Sequence, residues 1–206
     1  VHQNYYFLKQ LAPRLHGELA GKYFIEAFSQ EKDEIILVFA ESAGEENPGE
    51  VFFIKAALKS TFACLSFPDR FDRARRNSVN LFTGLAGNQV ENVSVFENER
   101  AVQIGFSDQR KLVFKLFGNR SNLIAYDQEG LVSDVFNNKL PADKSLSLGT
   151  LDRRIDQSFE AFVANGLRFE PLFPTFGKQV NARLNFLLHD QVSAEEKWAV
   201  VQGMLK

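Results

Sequence analysis

Four arginines fall within seven positions, Arg70 to Arg76, in the run Asp69-Arg70-Phe71-Asp72-Arg73-Ala74-Arg75-Arg76-Asn77. Guanidinium forks match phosphate oxygens, so this cluster is a candidate nucleic-acid contact. At helical spacing Arg73 and Arg76 share a face, with Arg75 at its edge. Arg100, Arg110, Lys111, Lys115 and Arg120 would extend the basic surface if a sheet gathers them. On charge alone, a solvated face with arginines paired to Asp69 and Asp72 is the simpler account. Two polar clusters interrupt hydrophobic alternation further on: Glu97-Asn98-Glu99-Arg100 and Gly118-Asn119-Arg120-Ser121-Asn122. Both fit hairpin turns. Each also sets an arginine at a strand edge, beside groups that hydrogen-bond phosphate, ribose or base edges.

Catalytic chemistry finds little support. His2, His16 and His189 fall in different segments, and no Cys/His pairing or His-x-x-x-His occurs, so no metal site is expected. The single thiol, Cys64, excludes an intrachain disulfide. In the apolar run Phe62-Ala63-Cys64-Leu65 it reads as a small buried hydrophobe rather than a reactive thiolate. Gly84, Gly87, Gly105 and Gly118 are isolated and form no phosphate loop. The expectation is a non-enzyme with no cofactor.

The whole chain has 206 residues, 24 Lys+Arg against 26 Asp+Glu and a formal net charge of −2, as an ordinary globular protein does. Charge is uneven: residues 26–50 hold eight acidic side chains against Lys32 alone. No run of about 18 apolar residues is present and the N-terminus lacks a signal-peptide pattern, so the expected location is cytoplasmic, with no membrane partner. The 21 phenylalanines suggest base-stacking platforms. Tracing them changes that view, because Phe24, Phe28, Phe39, Phe52, Phe62, Phe67, Phe96, Phe106, Phe114 and Phe136 fall in predicted strands. Phe82, Phe159 and Phe162 fall on predicted helix stripes. Phe71, beside Arg70, and Phe117, beside Gly118, remain as stacking candidates.

The elements that must position these residues follow from periodicity. Leu8, Leu11, Ala12, Leu15 and Leu19 form one helical stripe over 4–20, with a kink or break expected near Lys9–Ala12 because Pro13 lacks an N–H. Strands are predicted at Tyr23–Phe28, Glu34–Ala40, Val51–Ala57 and Phe62–Phe67, with a loop at Gly44–Gly49. A helix is predicted over Asp72–Ala86, its inner face formed by Ala74, Val79, Phe82 and Leu85. Strands follow at Val90–Phe96, Ala101–Phe106, Lys111–Phe117, Ser121–Tyr126 and Leu131–Phe136, with tight turns at Asp108-Gln109 and Asp127–Gly130. This order does not alternate as βαβ units do. It predicts an α+β fold, antiparallel sheets with two flanking helices, over residues 1–140. Residues 141–206 are read as a helical region, with helices at Leu151–Ala164, Thr175–Leu188 and Ala194 onward. Ser193-Ala194-Glu195-Glu196 has capping-box spacing. The chain starts at Val1 rather than Met, and its helical pattern runs to Lys206 without a stop, so a piece of a longer protein is expected.

Five segments together resemble a known family. They are Asn4–Leu8 with Leu11-Ala12-Pro13, Phe28–Ile35, Arg73–Val79, Asn98-Glu99-Arg100 and Leu116–Ile124. In order and spacing they resemble the NFACT-N domain (the fibronectin-binding protein A N-terminal domain) of the RqcH/NEMF family, over most of residues 3–137. The resemblance implies a fold similar to the N-terminal domain of formamidopyrimidine-DNA glycosylases, followed by a helix-hairpin-helix-type region. Leu172–Val180 is placed like that region's hairpin. It further implies binding to tRNA and to large ribosomal subunits with a stalled nascent chain, in support of untemplated C-terminal tailing. The family's Asp-Arg pair falls at Glu99-Arg100, and its Gly-Arg-x-Ser-Asn stretch at Gly118-Asn119-Arg120-Ser121-Asn122, with the arginine moved by one. The expected RNA contacts are therefore Glu99, Arg100, Asn119, Arg120, Ser121 and Asn122, with Arg73, Arg75 and Arg76. Two alternatives stand beside this: a fibronectin-binding surface adhesin, or a glycosylase-like DNA-binding protein. Val1-His2-Gln3 lacks the proline amine and glutamate of the glycosylases.

Overall fold

The computed structural model describes residues 3–44, 48–59 and 61–205. The Val1-His2 terminus, the centre of the expected Gly44–Gly49 loop and Lys206 lie outside them. Two compact units are formed, one from Val1–Phe96 with Arg100–Asp152, the other from Glu97–Glu99 with Arg153–Lys206.

The first unit opens with helix α1 (Tyr5–Leu19), capped by Asn4, whose side-chain oxygen accepts the Tyr6 N–H at 2.9 Å. Pro13 does not break it. Leu8, Ala12, Leu15 and Leu19 are buried along one stripe while Pro13 is exposed, so packing holds the helix and solvent serves the carbonyl that loses its donor. Strands β1 (Tyr23–Ser29), β2 (Glu34–Ala40), β3 (Val51–Lys59), β4 (Phe62–Ser66) and β5 (Val79–Leu81) form one antiparallel sheet in the order β4-β3-β2-β1-β5. Strands β6 (Val90–Val95), β7 (Ala101–Phe106), β8 (Lys111–Lys115), β9 (Asn122–Tyr126) and β10 (Val132–Val135) form a second antiparallel sheet in chain order. One core joins α1 to both sheets through Leu8, Leu19, Phe24, Phe39, Ile104, Phe106 and Phe114. The fold is α+β, as expected.

The tight turns are as expected. Gln109 adopts φ +74° while Asp108 accepts the Arg110 N–H at 3.1 Å, and Asp127 accepts the Leu131 N–H at 2.8 Å.

The predicted helix over Asp72–Ala86 is not formed. Residues 72–78 are irregular, Val79–Leu81 add β5 to the edge of β1, and Thr83–Leu85 make one 3-10 turn. Asn77 (φ +61°) and Phe82 (φ +53°) both leave the right-handed helical region, so no helix can run through them. Phe82 and Leu85 are buried all the same. Val79 is 61% exposed and Ala74 is exposed too, so periodicity identified two of the four expected inner-face residues and misassigned the backbone. Arg73 and Arg76 consequently share no helical face.

The second unit holds α2 (Phe159–Ala164), α3 (Gly177–Leu188) and α4 (Ala194–Gly203). Helix α2 starts later than the predicted Leu151, at the Ser158 cap, which accepts the Ala161 N–H at 3.1 Å. The capping box of α4 is formed: Ser193 Oγ accepts the Glu196 N–H at 3.1 Å, and the Glu196 carboxylate accepts the Ser193 N–H at 3.0 Å. The Trp198 ring lies 5.2 Å from that of Phe162 and 6.2 Å from that of Phe173, and Phe173 stacks on Phe176 at 4.9 Å. Most phenylalanines are packing residues, as read from the sequence. Phe62 and Phe67, however, are 51% and 38% exposed.

Candidate nucleic-acid interface

The end of β8 and the turn that follows it carry one basic cluster of the first unit. Arg100 stands just before β7, and its carbonyl accepts the Leu116 N–H at 2.9 Å, which fixes it beside the end of β8. The Arg100 guanidinium lies 5.7 Å from the centre of the Phe117 ring, and the Lys115 ammonium 5.5 Å from the same ring. Gly118, at φ +66°, then opens a 3-10 turn that leaves Asn119 and Arg120 exposed.

Lys115, Ser121 and Asn122 are engaged within the chain. Lys115 is 5% exposed and pairs with Asp143, itself 3% exposed. Asn122 is fully buried: its amide donates to Asp143 Oδ2 at 2.8 Å and to the Asn137 carbonyl at 3.2 Å, and its oxygen accepts the Asn137 N–H at 2.7 Å. Ser121 Oγ, also buried, donates to the Gly118 carbonyl at 2.8 Å. Ser121 and Asn122 thus shape the turn and tie it to residues 137–143. Spacing flagged the turn but gave no sign of Asp143 and Asn137, which only the tertiary fold delivers.

The β7–β8 pairing divides the basic residues that a sheet was expected to gather. Ala101 pairs with Lys115 and Gly105 with Lys111, so Arg110 and Lys111 stand at the opposite end of β8 from Arg100. Four residue steps separate the ends by about 13 Å. Arg110 is also occupied, pairing with Asp108 at 3.1 Å and donating to the Gly84 carbonyl.

Residues 67–78 carry the second cluster. Phe71 packs on Phe28, ring centres 5.8 Å apart, against the outer face of the first sheet. The Arg73 guanidinium lies 4.6 Å from the centre of the Phe28 ring and bonds Glu26, Asn80 and Ser78. The Ala74 N–H donates to Gln30 Oε1 at 2.9 Å. Arg73 is therefore a clasp, and Phe71 is its apolar partner rather than an open stacking platform. Arg70, Arg75 and Arg76 are exposed around these anchors.

Glu99 belongs to the second unit and Arg100 to the first, so the unit boundary runs between them. The Glu99 carboxylate is 7% exposed and pairs with Arg153 at 3.3 Å. Asn98 Nδ2 donates to the Arg153 carbonyl at 2.9 Å, and Gln157 donates to Asn98 Oδ1 at 3.2 Å and to the Leu172 carbonyl at 2.6 Å. Arg153 and Gln157 had no signal in the spacing.

Among the described residues, no three His, Cys, Asp or Glu side chains group as metal ligands, and no helix is long and apolar enough to cross a membrane. Burial, with Glu34 adding to it and Lys55 opposing it, pushes the Cys64 thiol up.

No family model and no curated protein matches this sequence. Solved structures do. The chain aligns over its whole length with the fibrinogen-binding protein from Staphylococcus aureus, covering 83% of that chain at 15% identity and a TM-score of 0.66. It aligns over 97% of its length with the N-terminal domain of fibronectin-binding protein PavA from Streptococcus pneumoniae, covering 83% of it at 15% identity and a TM-score of 0.61. The N-terminal part of the fibronectin/fibrinogen-binding protein from Streptococcus suis matches over 98% of this chain and 84% of its own, at 13% identity and a TM-score of 0.68. The fold is thus shared with the N-terminal domains of fibronectin/fibrinogen-binding proteins, the fold expected of an NFACT-N domain.

Proposed function

We propose that this chain is a non-enzymatic, cytoplasmic RNA-binding module of a ribosome-associated quality-control factor, one that meets tRNA and the large ribosomal subunit. The observation that carries the reading is the strand end where Arg100 lies on Phe117 and the next turn presents Asn119 and Arg120. The Arg100 guanidinium beside the Phe117 ring sets a group that matches phosphate oxygens next to an aromatic surface for a base. Arg70, Arg75 and Arg76 supply a second set of phosphate contacts from an anchored segment. Glu99, Ser121, Asn122 and Arg73 act as positioning residues, because their polar groups are already engaged by this chain.

Filter binding of tRNA to the intact chain tests this. The double variant Arg100→Ala/Arg120→Ala is expected to weaken binding about tenfold. Unchanged affinity removes these residues from the interface.

The second reading is binding to an extracellular-matrix protein, favoured by the descriptions of the three solved relatives as fibronectin- or fibrinogen-binding. Fibronectin capture at physiological salt that survives RNase treatment would select it.

A further inference from the structure

Strand β3 outruns its neighbour. It pairs with β2 from Val51 to Ala57, but with β4 only from Lys55, opposite Ser66, to Lys59, opposite Phe62. In an antiparallel ladder, successive residues turn their N–H and C=O groups to alternate sides. Leu58 donates its N–H toward β2, to the Asp33 carbonyl at 2.7 Å, and the register with β2 is unbroken. Odd-numbered residues therefore face β4, and the Lys55 carbonyl does meet Ser66 there. Val51 and Phe53 face the same way, beyond the last residue of β4. Among the described residues, their backbone groups find no partner on that side.

The ladder stops for a chemical reason. Continued by two residues, the register would set Pro68 opposite Phe53, and proline has no N–H to donate. The chain bends at Asp69, and a groove of about 720 Å³ lies between α1 and this edge, with the Phe67 ring 5.8 Å from that of Phe52. Its apolar lining comes from Leu11, Leu15, Phe52 and Phe67. Its rim carries Glu18 and Asp69 against Arg14, while Glu50 pairs with Lys22 at 3.0 Å.

We propose that this groove docks a peptide in extended conformation, apolar at its centre and basic at its ends, which adds to β3 as a short strand in line with β4. The conformation follows from the open edge, since only an extended main chain meets the groups of Val51 and Phe53 together. The apolar centre follows from the aromatic lining, and the basic ends from the acidic excess of the rim. The stretch from Val51 to Ile54 spans about 10 Å, room for about four peptide residues. This site uses none of the residues of the proposed RNA contact.

The test uses the intact chain and a fluorescein-labelled octapeptide, KVTVFVTK, with EVTVFVTE as its acid-ended counterpart. Fluorescence anisotropy is expected to give a Kd of about 100 μM for the basic peptide. The acid-ended peptide is expected to bind about fivefold more weakly, and Glu18→Lys/Asp69→Lys to reverse that order. Both substituted positions are exposed, so the variant keeps its fold. Amide hydrogen exchange supplies the second readout: bound peptide protects Val51 and Phe53, and leaves Phe52 and Ile54, which face β2, unchanged. No binding at about 1 mM peptide, or binding without protection at Val51 and Phe53, overturns the proposal. A concentration-dependent dimer that protects the same two amides without peptide also overturns it, and assigns the groove to a second copy of the chain.

Discussion

By sequence alone Lys115 is one more surface cation, and in the fold it is a buried one held by Asp143. A buried ion whose partner is removed is costly, so Asp143→Ala is expected to destabilise the chain by roughly 3–5 kcal/mol. Urea denaturation measures this. The double variant Lys115→Met/Asp143→Leu should recover most of the loss, since no uncompensated charge remains. Equal stability of Asp143→Ala and the parent would mean that the pair is hydrated. Near it, Tyr126 is fully buried and its hydroxyl finds no hydrogen-bond partner among the described residues. Burial, with the Asp143 charge adding to it, pushes the Tyr126 phenol from 10.0 up to about 12. Between these values the unfolded chain has released the proton and the folded chain has kept it. Stability from this group is therefore complete below pH 10.0 and lost as pH rises toward about 12. Denaturation midpoints across that window should fall less steeply in Tyr126→Phe. No spacing rule could have revealed either group, because both depend on what the fold lays beside them.

At the scale of elements, the arginine-rich segment shows how strand pairing overrides helical periodicity. Its apolar residues recur at helical intervals, yet Val79–Leu81 complete the edge of β1 and two left-handed residues interrupt any helix. The segment before β5 is instead held by Phe71 on Phe28, by Arg73 and by the Ala74 N–H. Arg73 is partly exposed, so its ion pair with Glu26 contributes little to global stability, about 1 kcal/mol or less. Its effect is local. Arg73→Ala is expected to leave the denaturation midpoint nearly unchanged and to speed tryptic cleavage after Arg75 and Arg76 several-fold. Unaltered cleavage would show that Phe71 alone secures the segment. Helix α1 makes the reverse case: Pro13 predicts a break, and the buried leucine stripe keeps the helix continuous.

For the whole molecule, a formal net charge of −2 gives no long-range attraction to RNA. Binding by the proposed surface must come from local phosphate contacts and be salt-sensitive. With the five arginine contacts proposed, tRNA affinity is expected to fall roughly 100- to 500-fold between about 50 mM and about 200 mM salt. A flat salt dependence in filter binding points to a different kind of partner. Much of the architecture was legible in the chain itself. Among the described residues, nine of the ten strands, the first and last helices and the tight turns are legible, because alternation, stripes, caps and turn residues act within a few positions of one another. Which arginines face outward was not legible. Glu26 lies 47 residues from Arg73, and Asp143 lies 28 from Lys115, so their pairing exists only once the sheets have formed. By itself the sequence determined all the strands but β5, and the residues capable of binding phosphate. The tertiary structure alone decided which of those residues are clasps and which remain outward, because a charge is neutralised by what lies near it in space and not in sequence.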